Sequence, residues 1–348
     1  MIMLEQADSK QEEEKIMLYN SLSQGIFIIH ENPEWIPPFA EAFKRAGIKF
    51  SEILLTQDSI DVNLPPPNGV FWSRLSASSH TRNNTYSKEY GRTILSWLES
   101  YGRRVINGSA VLELEVSKAR QYLALNKAGF RTPKTISVFG KKDLVSSAHN
   151  LQTPFITKHN QGGKGLGVQR FDDLESFKVY VDSKDYEEPI DGITLLQEYI
   201  PSKEPFITRC EFIGSKFVYA VRVDTSNGAF KLCPADACEI EDSKESLPAL
   251  AGAACDVGSA DKFSIRADIS ANTPLVRDLE AFLQKHHIEV AGIEFIESKN
   301  GEFVVYDINT NTNYNSTLES KLRAQGKSGA SDTIVRFLQE QYELTQHQ

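Results

Sequence analysis

The stretch VAGIEFIESKNGEFVVYDIN (290–309) predicts a β-hairpin, and this hairpin decides how the rest of the chain is interpreted. Both of its arms are rich in β-branched and aromatic residues, and Asn300-Gly301 between them is a strong signal for a two-residue turn. Counting outward from such a turn places Glu294 directly opposite Asp307, on one face of the ladder.

Glu294, Asp307 and Asn309 form a predicted metal site, because Asn309 follows Asp307 by two residues and shares its face. Two carboxylates that face each other across a ladder repel, so the pair is costly without a cation. Oxygen ligands from Glu, Asp and Asn suit Mg²⁺ or Mn²⁺, and Mg²⁺ held by few carboxylates usually also holds substrate phosphates. Alternatively, these residues form the solvent-facing polar side of an edge hairpin. The sequence of the hairpin alone does not decide between the two interpretations.

Composition and charge restrict the classes of function. The 348 residues are 40% hydrophobic and 24% charged, which is typical of a globular protein with two or three domains. The net charge of −9 argues against a nucleic-acid partner, which requires a basic surface. No apolar run is long enough to span a membrane, and none near the N-terminus resembles a signal peptide. The four cysteines follow no zinc or CxxC pattern, so we expect reduced thiols in a cytoplasmic protein.

The order of predicted strands and helices indicates an α/β protein in three parts, preceded by a flexible acidic arm at 1–18. Strands and helices alternate over 19–112, which predicts an open α/β domain. Residues 113–200 contain a helix, further strands and a glycine-rich loop. Residues 201–348 contain a strand pair, two helices and the hairpin, and form the third part.

The glycine-rich loop QGGKGLG (161–167) joins two predicted strands. This context excludes a Walker A loop, which opens a helix, and the spacing differs from the GxGxxG dinucleotide motif. A glycine loop on a hairpin can still close over phosphates with its backbone N–H groups, and Lys158 on the preceding strand would add a positive charge. A flexible surface hairpin is the alternative, and the loop alone leaves both open.

Six segments in a fixed order resemble the ATP-grasp superfamily and, within it, the RimK-type (alpha-L-glutamate ligase-like) carboxylate–amine ligases. The segments are SKARQYLALNKAGFRTPKT (117–135), PFITKHNQGGKGLGV (154–168), LLQEYI (195–200), ITRCEFIG (207–214), AGIEFI (291–296) and VVYDIN (304–309). The resemblance extends over about residues 69–315, because FWSRLSASS (71–79) also resembles a segment of the family. It implies an α/β (α+β) ATP-grasp fold: 19–112 would be the pre-ATP-grasp domain, 113–200 the central and lid subdomain, and 201–348 the C-terminal subdomain with the metal site.

The resemblance also implies a nucleotide site, through residues that match the family's motifs. Lys118 and Lys158 match the lysines that touch the α- and β-phosphates, and the loop over the phosphates matches Gly162, Gly163, Lys164, Gly165 and Gly167. The hinge whose backbone contacts the adenine edge matches Gln197, Glu198, Tyr199 and Ile200, with Glu204 as the candidate for the ribose hydroxyls. Arg209 matches a strand arginine that is either positional or catalytic. The metal ligands match Glu294, Asp307 and Asn309, although the family often has Asp at the first position and Glu at the second.

Three basic residues are expected near the reacting groups, and the family's motifs identify them less directly than they identify the nucleotide site. Arg222 and, less directly, Lys231 match basic residues near the transferred phosphate. Arg74 is a candidate for holding a substrate carboxylate through a bidentate contact, with a surface ion pair as the alternative. Many relatives have a short Pro-Gly segment where this chain has TNTNYN (310–315), so the resemblance does not identify the acceptor.

The resemblance implies an ATP-dependent ligase that forms an amide or peptide bond through an acyl phosphate and releases ADP and phosphate. It implies ATP and Mg²⁺ (or Mn²⁺) as cofactors, amino acids or peptides as substrates, and a homodimer or homotetramer as the assembly to consider. An ATP-grasp small-molecule kinase like the inositol-phosphate kinases is an alternative, although it would need a strongly basic site. A non-catalytic nucleotide-binding module is a second alternative, although such a module would be expected to lack a lysine or a metal ligand.

Overall fold

The computed structural model describes residues 18–163, 165–226 and 262–347. The predicted acidic arm up to residue 17, Lys164, Lys231 and most of the polar stretch that follows lie outside the described residues.

The N-terminal part is a parallel four-stranded sheet, which confirms the predicted open α/β arrangement. Its strands are β1 (Gly25–His30), β2 (Ser51–Leu54), β3 (Gly69–Ser73) and β4 (Arg104–Ile106), in the order β2-β1-β3-β4. The helices α1 (Pro37–Ala46) and α2 (Ser87–Ser100) connect them. All five residues of β3 are buried, as expected when helices cover both faces of a parallel sheet.

The second part is an antiparallel sheet that carries the glycine loop. Its strands are β5 (Thr135–Phe139), β6 (Phe155–His159), β7 (Gln169–Phe171) and β8 (Ile193–Glu198), in the order β5-β8-β6-β7. The helices of this part are α3 (Ser109–Glu115), α4 (Lys118–Lys127), α5 (Leu144–Ala148) and α6 (Leu174–Asp182). Helix α3 crosses the predicted boundary between 112 and 113, and the three-part division remains a prediction.

The third part is an antiparallel sheet in the order β11-β10-β9-β12-β13. Its strands are β9 (Phe206–Ile213), β10 (Lys216–Asp224), β11 (Phe263–Ile265), β12 (Val290–Glu297) and β13 (Phe303–Asn309), and its helices are α7 (Pro274–Lys285), α8 (Ser316–Ala324) and α9 (Ala330–Thr345). One face packs against α7. The other face shares a core with α1, α8 and α9, so the first and third parts pack against each other.

The turn of the β12–β13 hairpin is not the predicted two-residue turn. Glu297 pairs with Phe303, and the backbone N–H of Ser298 donates to the carbonyl of Glu302. This pairing leaves a loop of three residues that ends at Gly301, where φ is +79°. The prediction of the turn type is therefore wrong by one residue.

A β-bulge at Tyr306 compensates for this difference. Phe295 pairs with Val305, whereas the next pair is Glu294 with Asp307, so Tyr306 is the extra residue in β13. The predicted pairing of Glu294 with Asp307 is confirmed, but it results from two offsets of one residue that cancel.

Candidate functional site

A cleft lies between the glycine loop and the β12–β13 hairpin. The predicted site residues that line it are Lys118, Lys158, Gly162, Gly163, Gly165, Glu294 and Asp307. The structure therefore brings together both predicted phosphate lysines, part of the predicted loop and both predicted metal carboxylates. These side chains come from segments that are up to 189 residues apart.

Lys118 is the first residue of α4, and its side chain forms an ion pair with Asp307. The helix begins here because the hydroxyl of Ser117 accepts a hydrogen bond from the backbone N–H of Arg120. Burial disfavours the charge on Lys118, but the neighbouring Asp307 outweighs it and raises the pKa of the lysine. Burial likewise opposes the charge on Asp307, but the nearby lysines lower the pKa of this carboxyl below its usual value.

Lys158 projects from β6 into the same cleft, where it is buried between two aromatic rings. Its ammonium group donates to the hydroxyl of Tyr122 at 3.0 Å and lies 5.6 Å from the ring centroid of Tyr306. Among the described residues no carboxylate lies within ion-pair distance of it. A buried ammonium group without a carboxylate partner is costly, so this charge is available to an anionic ligand.

The glycine loop folds back over its own strand at Gly167. This residue has φ +68°, and a Cβ added to it would lie 2.1 Å from the ring of His159. The hydroxyl of Thr157 donates to the carbonyl of Gly167 at 2.8 Å. His159 thus faces the back of the loop rather than the cleft, and its Nε2 lies 3.2 Å from the carbonyl oxygen of Glu187. Only glycine fits at position 167 without displacing the histidine.

Glu294 is buried on β12, where two donors reach its carboxylate. The hydroxyl of Tyr306 donates to it at 2.7 Å, and Arg209 Nη1 donates at 3.4 Å. Burial raises the pKa of Glu294 to about 7, against the opposing effect of Arg209 and with a further contribution from Asp307. The bulge is what permits the contact from Tyr306, because an unbroken ladder would point Tyr306 to the face opposite Asp307.

The three predicted metal ligands provide two carboxylates and one amide. Glu294 and Asp307 are paired across the ladder, and Asn309 pairs with Gly292 two positions further along. The side-chain oxygen of Asn309 also accepts from the backbone N–H of Asn311 at 2.9 Å. Within the described ranges no cluster of three or more His, Cys, Asp or Glu side chains suits a metal ion. Two carboxylates and one amide oxygen are nevertheless a donor set that fits Mg²⁺ or Mn²⁺, because these ions accept oxygen ligands and complete their coordination with phosphate and water.

Arg209 on β9 lies beside Glu294, with which it forms an ion pair. Its Nε donates to Glu211 at 2.6 Å, and another of its nitrogens donates to the hydroxyl of Thr312. Gly292 on the adjacent strand provides the space, since a Cβ there would lie 2.6 Å from the guanidinium group. Burial disfavours the charge, but Glu211 and Glu294 more than compensate and raise the pKa of Arg209.

The structure does not bring Arg74 to the cleft. Its side chain is fully buried, and Nη2 donates to the carbonyl of Thr312 at 2.9 Å and to the amide oxygen of Asn313 at 2.8 Å. The guanidinium group also lies 4.4 Å from the ring centroid of Phe39. Burial lowers the pKa of Arg74 to about 10. The expectation that Arg74 is free to hold a substrate carboxylate is therefore corrected. Arg74 instead connects the segment after β3 to the 310–315 loop through these hydrogen bonds.

Arg222 also lies away from the cleft, together with Glu204. Val221, not Arg222, pairs with Arg209, and alternate residues of a strand face opposite sides of the sheet. The Arg222 guanidinium group lies 4.2 Å from the ring centroid of Phe206 and 3.9 Å from Glu204. The proximity of Arg222 to the transferred phosphate therefore remains a prediction, and Lys231 lies outside the described residues.

The predicted hinge lies at the end of β8, where the chain leaves the second part. The buried side chain of Gln197 donates to the hydroxyl of Thr135 at 2.8 Å. Glu198 accepts from Arg131 at 2.9 Å, so its carboxylate holds the neighbouring segment. Arg170 lies 4.6 Å from the ring centroid of Tyr199. The contact of this backbone with adenine remains a prediction.

Asn160 is a site residue that the sequence analysis missed. Its side-chain oxygen accepts from the backbone N–H of Ala119 at 2.8 Å, and its own carbonyl accepts from the N–H of Lys118 at 3.2 Å. It therefore fixes the first turn of α4 to the end of β6 and sets the position of Lys118 relative to Lys158. An asparagine two residues after a predicted phosphate lysine could have been interpreted as a helix-capping partner.

Comparisons with known proteins identify the domain to which the middle of the chain is similar. Residues 116–239 match the family model described as the RimK-like ATP-grasp domain. A probable alpha-L-glutamate ligase of Legionella pneumophila (strain Corby) is 27% identical over 143 residues, which cover 41% of this chain and 46% of the relative. The alpha-aminoadipate–LysW ligase LysX of Sulfurisphaera tokodaii is 29% identical over 103 residues, covering 29% of this chain and 36% of the relative. The matched part of the chain thus spans less than half the length of these relatives.

A solved structure extends the similarity to the whole fold. The RimK domain ATP-grasp protein from Sphaerobacter thermophilus superposes with a TM-score of 0.60 at 15% sequence identity, covering 90% of this chain and 98% of that protein. No helix in the described ranges is both long and apolar enough to cross a membrane. The chain thus has the fold of this ATP-grasp protein, and its residues 116–239 match the RimK-like ATP-grasp domain.

Proposed function

We propose that this protein is an ATP-dependent carboxylate–amine ligase that forms an amide or peptide bond through an acyl phosphate. The observation that carries the proposal is the cleft in which Lys118, Lys158 and the loop glycines face Glu294 and Asp307. ATP-grasp proteins in general use ATP with a divalent metal, and the two relatives described above are named as ligases.

The two sides of the cleft have complementary tasks. Lys158 and the backbone N–H groups of the loop bind and orient the phosphates, and the loop excludes water from them. Glu294, Asp307 and Asn309 would hold Mg²⁺, which supplies charge neutralisation at the phosphates when bound. Arg209 keeps the Glu294 carboxylate in position through its own ion pair. The protein contributes orientation and electrostatic stabilisation, and no protein nucleophile is required.

The proposed reaction has two steps. An oxygen of the substrate carboxylate attacks the γ-phosphorus of ATP, the bond from that phosphorus to the bridging oxygen of the β-phosphate breaks, and ADP leaves. The nitrogen of an amine substrate then attacks the carbonyl carbon of the acyl phosphate, the carbon–oxygen bond to phosphate breaks, and an amide, phosphate and a proton are released. We propose amino acids or peptides as the substrates, because the relatives are named for glutamate and alpha-aminoadipate.

The test is the release of ADP and hydroxamate from Mg-ATP, a pool of amino acids and hydroxylamine. We expect both products, because hydroxylamine traps an acyl phosphate and mass spectrometry then identifies the activated acid. ADP together with a stable phosphorylated product and no hydroxamate would indicate a kinase instead. Nucleotide binding without turnover of any substrate in the pool would contradict the proposed ligation for that pool and favour a binding module. An Asp307→Asn variant provides the background rate.

A further inference from the structure

A second pocket lies on β9 and β10 beneath the N-terminal end of α8. Its walls are mainly apolar and include Val221, Val223, Phe263 and Leu318. Arg209 and Glu211 form its floor toward the metal carboxylates, and the loop after β13 forms its rim through Asn313. Arg209 also contacts Glu294, which lines the nucleotide cleft, so the pocket adjoins that cleft through this ion pair.

The charged groups that line this pocket are already paired with each other. Arg209 Nε donates to one oxygen of Glu211 at 2.6 Å, and the hydroxyl of Thr312 donates to the other at 2.9 Å. The other two guanidinium nitrogens of Arg209 contact Thr312 and Glu294. Among the described lining residues no cation is left for a negatively charged ligand. A ligand carboxylate would instead face the carboxylate of Glu211, and the two negative charges would repel each other. Glu211 is only 2% exposed, so water screens this repulsion weakly.

One polar group in the pocket lacks a partner. The hydroxyl of Tyr314 is buried and has no hydrogen-bond partner within the part of the chain that the structure describes. A buried hydroxyl without a partner costs free energy, so a ligand that supplies a hydrogen-bonding atom here gains affinity. Tyr219, by contrast, is satisfied, because its hydroxyl donates to Glu319 at 2.8 Å.

We infer that this pocket receives the side chain of an amino-acid substrate that is uncharged and mainly apolar, with Leu318, Val221 and Val223 as its specificity-determining walls and Tyr314 as its polar contact. This inference rests on the proposed ligase function and names a substrate class for it. It differs from the glutamate and alpha-aminoadipate for which the similar proteins are named. An acidic side chain has no partner here, whereas an apolar one covers the valine and leucine side chains and gains their burial.

Direct binding tests the inference independently of turnover. The affinities of leucine, methionine, glutamate and lysine are measured by isothermal titration calorimetry, with Mg²⁺ and a non-hydrolysable ATP analogue present. We expect leucine or methionine to bind at least about tenfold more tightly than glutamate and lysine, which corresponds to about 1.4 kcal/mol. Tighter binding of glutamate or lysine, or no binding by any of the four, overturns the inference. Formation of hydroxamate tests the ligase function separately, so the two can fail independently.

Three substitutions, two on α8 and one at Tyr314, test whether this pocket is the binding site. Leu318→Phe adds volume inside the pocket, and it should weaken binding of the preferred amino acid at least about tenfold. Leu322→Phe is the matched control, because Leu322 lies one turn further along α8 in the same core but does not line the pocket. Tyr314→Phe removes only the unpartnered hydroxyl and should fold normally. Nucleotide affinity should stay unchanged in all three, and equal amino-acid binding by Leu318→Phe and Leu322→Phe would reject this pocket as the site.

Discussion

Lys118 and Asp307 form an ion pair across the proposed nucleotide cleft, one at the start of α4 and the other on β13. The family resemblance implies that the lysine binds the phosphates and that the aspartate binds the metal. A metal ion would therefore compete with Lys118 for the Asp307 carboxylate, and a phosphate would compete with Asp307 for the Lys118 ammonium group. Lys118→Met should therefore free the carboxylate and strengthen Mn²⁺ binding to the nucleotide-free protein by about tenfold, while ATP binding weakens. Mn²⁺ titration followed by electron paramagnetic resonance measures the first effect. An unchanged or weaker Mn²⁺ affinity would show that the ion pair does not compete with the metal.

Removal of Lys158 or of the Asp307 carboxylate should stop ATP turnover. Lys158→Met keeps the contact with Tyr122 and Tyr306 but removes the charge, and Asp307→Asn keeps the shape of the side chain. We expect a loss of at least about 100-fold in ADP release for each, since a positioned charge at a transferring phosphoryl group contributes about 3 kcal/mol. Thermal unfolding should show that both variants remain folded. Near-normal turnover in a folded variant would remove that residue from the site.

Metal affinity should rise with pH through neutrality, because burial raises the pKa of Glu294 to about 7. Below that pH the folded protein holds a proton on Glu294 that Mn²⁺ has to displace, so the affinity should fall by about tenfold per pH unit. The pKa of Asp307 is lowered, so this carboxyl stays ionised over the same range. Mn²⁺ titrations between pH 5.5 and 8.5, about the range over which a group of this pKa titrates, measure the slope. Glu294→Gln should bind Mn²⁺ more weakly and lose this pH dependence, and a slope that persists in the variant would assign it to another group.

The same raised pKa has a consequence for the stability of the metal-free protein. In the unfolded chain Glu294 titrates near 4.5, whereas in the folded protein it titrates near 7. Between these values the folded state binds the extra proton, so its stability decreases as the pH rises through this window. Urea unfolding of the wild type and of Glu294→Gln, without metal, should differ in pH dependence in that range.

Gly167→Ala should damage the glycine loop. Position 167 has φ +68°, and the added methyl group would meet the ring of His159 at 2.1 Å. The backbone conformation alone costs about 1 kcal/mol, and the contact adds to it. Urea unfolding and the KM for ATP measure the result, which should be a less stable protein with a raised KM. Gly162→Ala is the control for the effect on stability, because a Cβ there makes contacts of 3.4 Å and no special φ is required.

Arg74→Met should lower stability without changing substrate binding directly. The variant leaves the carbonyl of Thr312 and the amide oxygen of Asn313 without their buried donor, which costs about 2 kcal/mol or more. We expect a lower denaturation midpoint and an unchanged KM for the activated acid at temperatures where the variant is folded. A raised KM for the acid with normal stability would restore the carboxylate-binding role that the sequence indicated.

The sequence predicts the strands and helices that have strong local signals. The apolar run GIFIIH (25–30), within the predicted open α/β domain, coincides with β1, and Ser117, at the start of the segment SKARQYLALNKAGFRTPKT, caps α4. Helices α3 and α8 were missed, because α3 has only seven residues and α8 follows a Thr/Asn-rich loop that gives no periodic pattern. Short segments of this kind are fixed by packing against distant parts of the chain rather than by local preference.

The candidate nucleotide cleft was predictable because the residues that line it lie in ordered motifs, whereas the contacts made by single arginines were not. Arg74 and Arg222 both looked suitable by residue type. One is buried against a loop 238 residues away, and the other is on the opposite face of its strand from Arg209. Residue type does not determine which face of the sheet or which layer of the protein a side chain reaches. That information comes from strand register and tertiary packing.

The bulge at Tyr306 also separates the tip of the hairpin from the carboxylates. Between the tip and the bulge β12 and β13 pair in one register, in which Phe295 faces Val305. Beyond the bulge they pair in a second register, in which Glu294 faces Asp307, and here β12 is also paired with β9. A change of loop length at the tip can therefore be absorbed in the short ladder before Tyr306, and the facing of Glu294 and Asp307 is preserved. Natural variation should accumulate at the tip of this hairpin without reaching the metal ligands, so a family of such proteins can differ in that loop and keep the same chemistry.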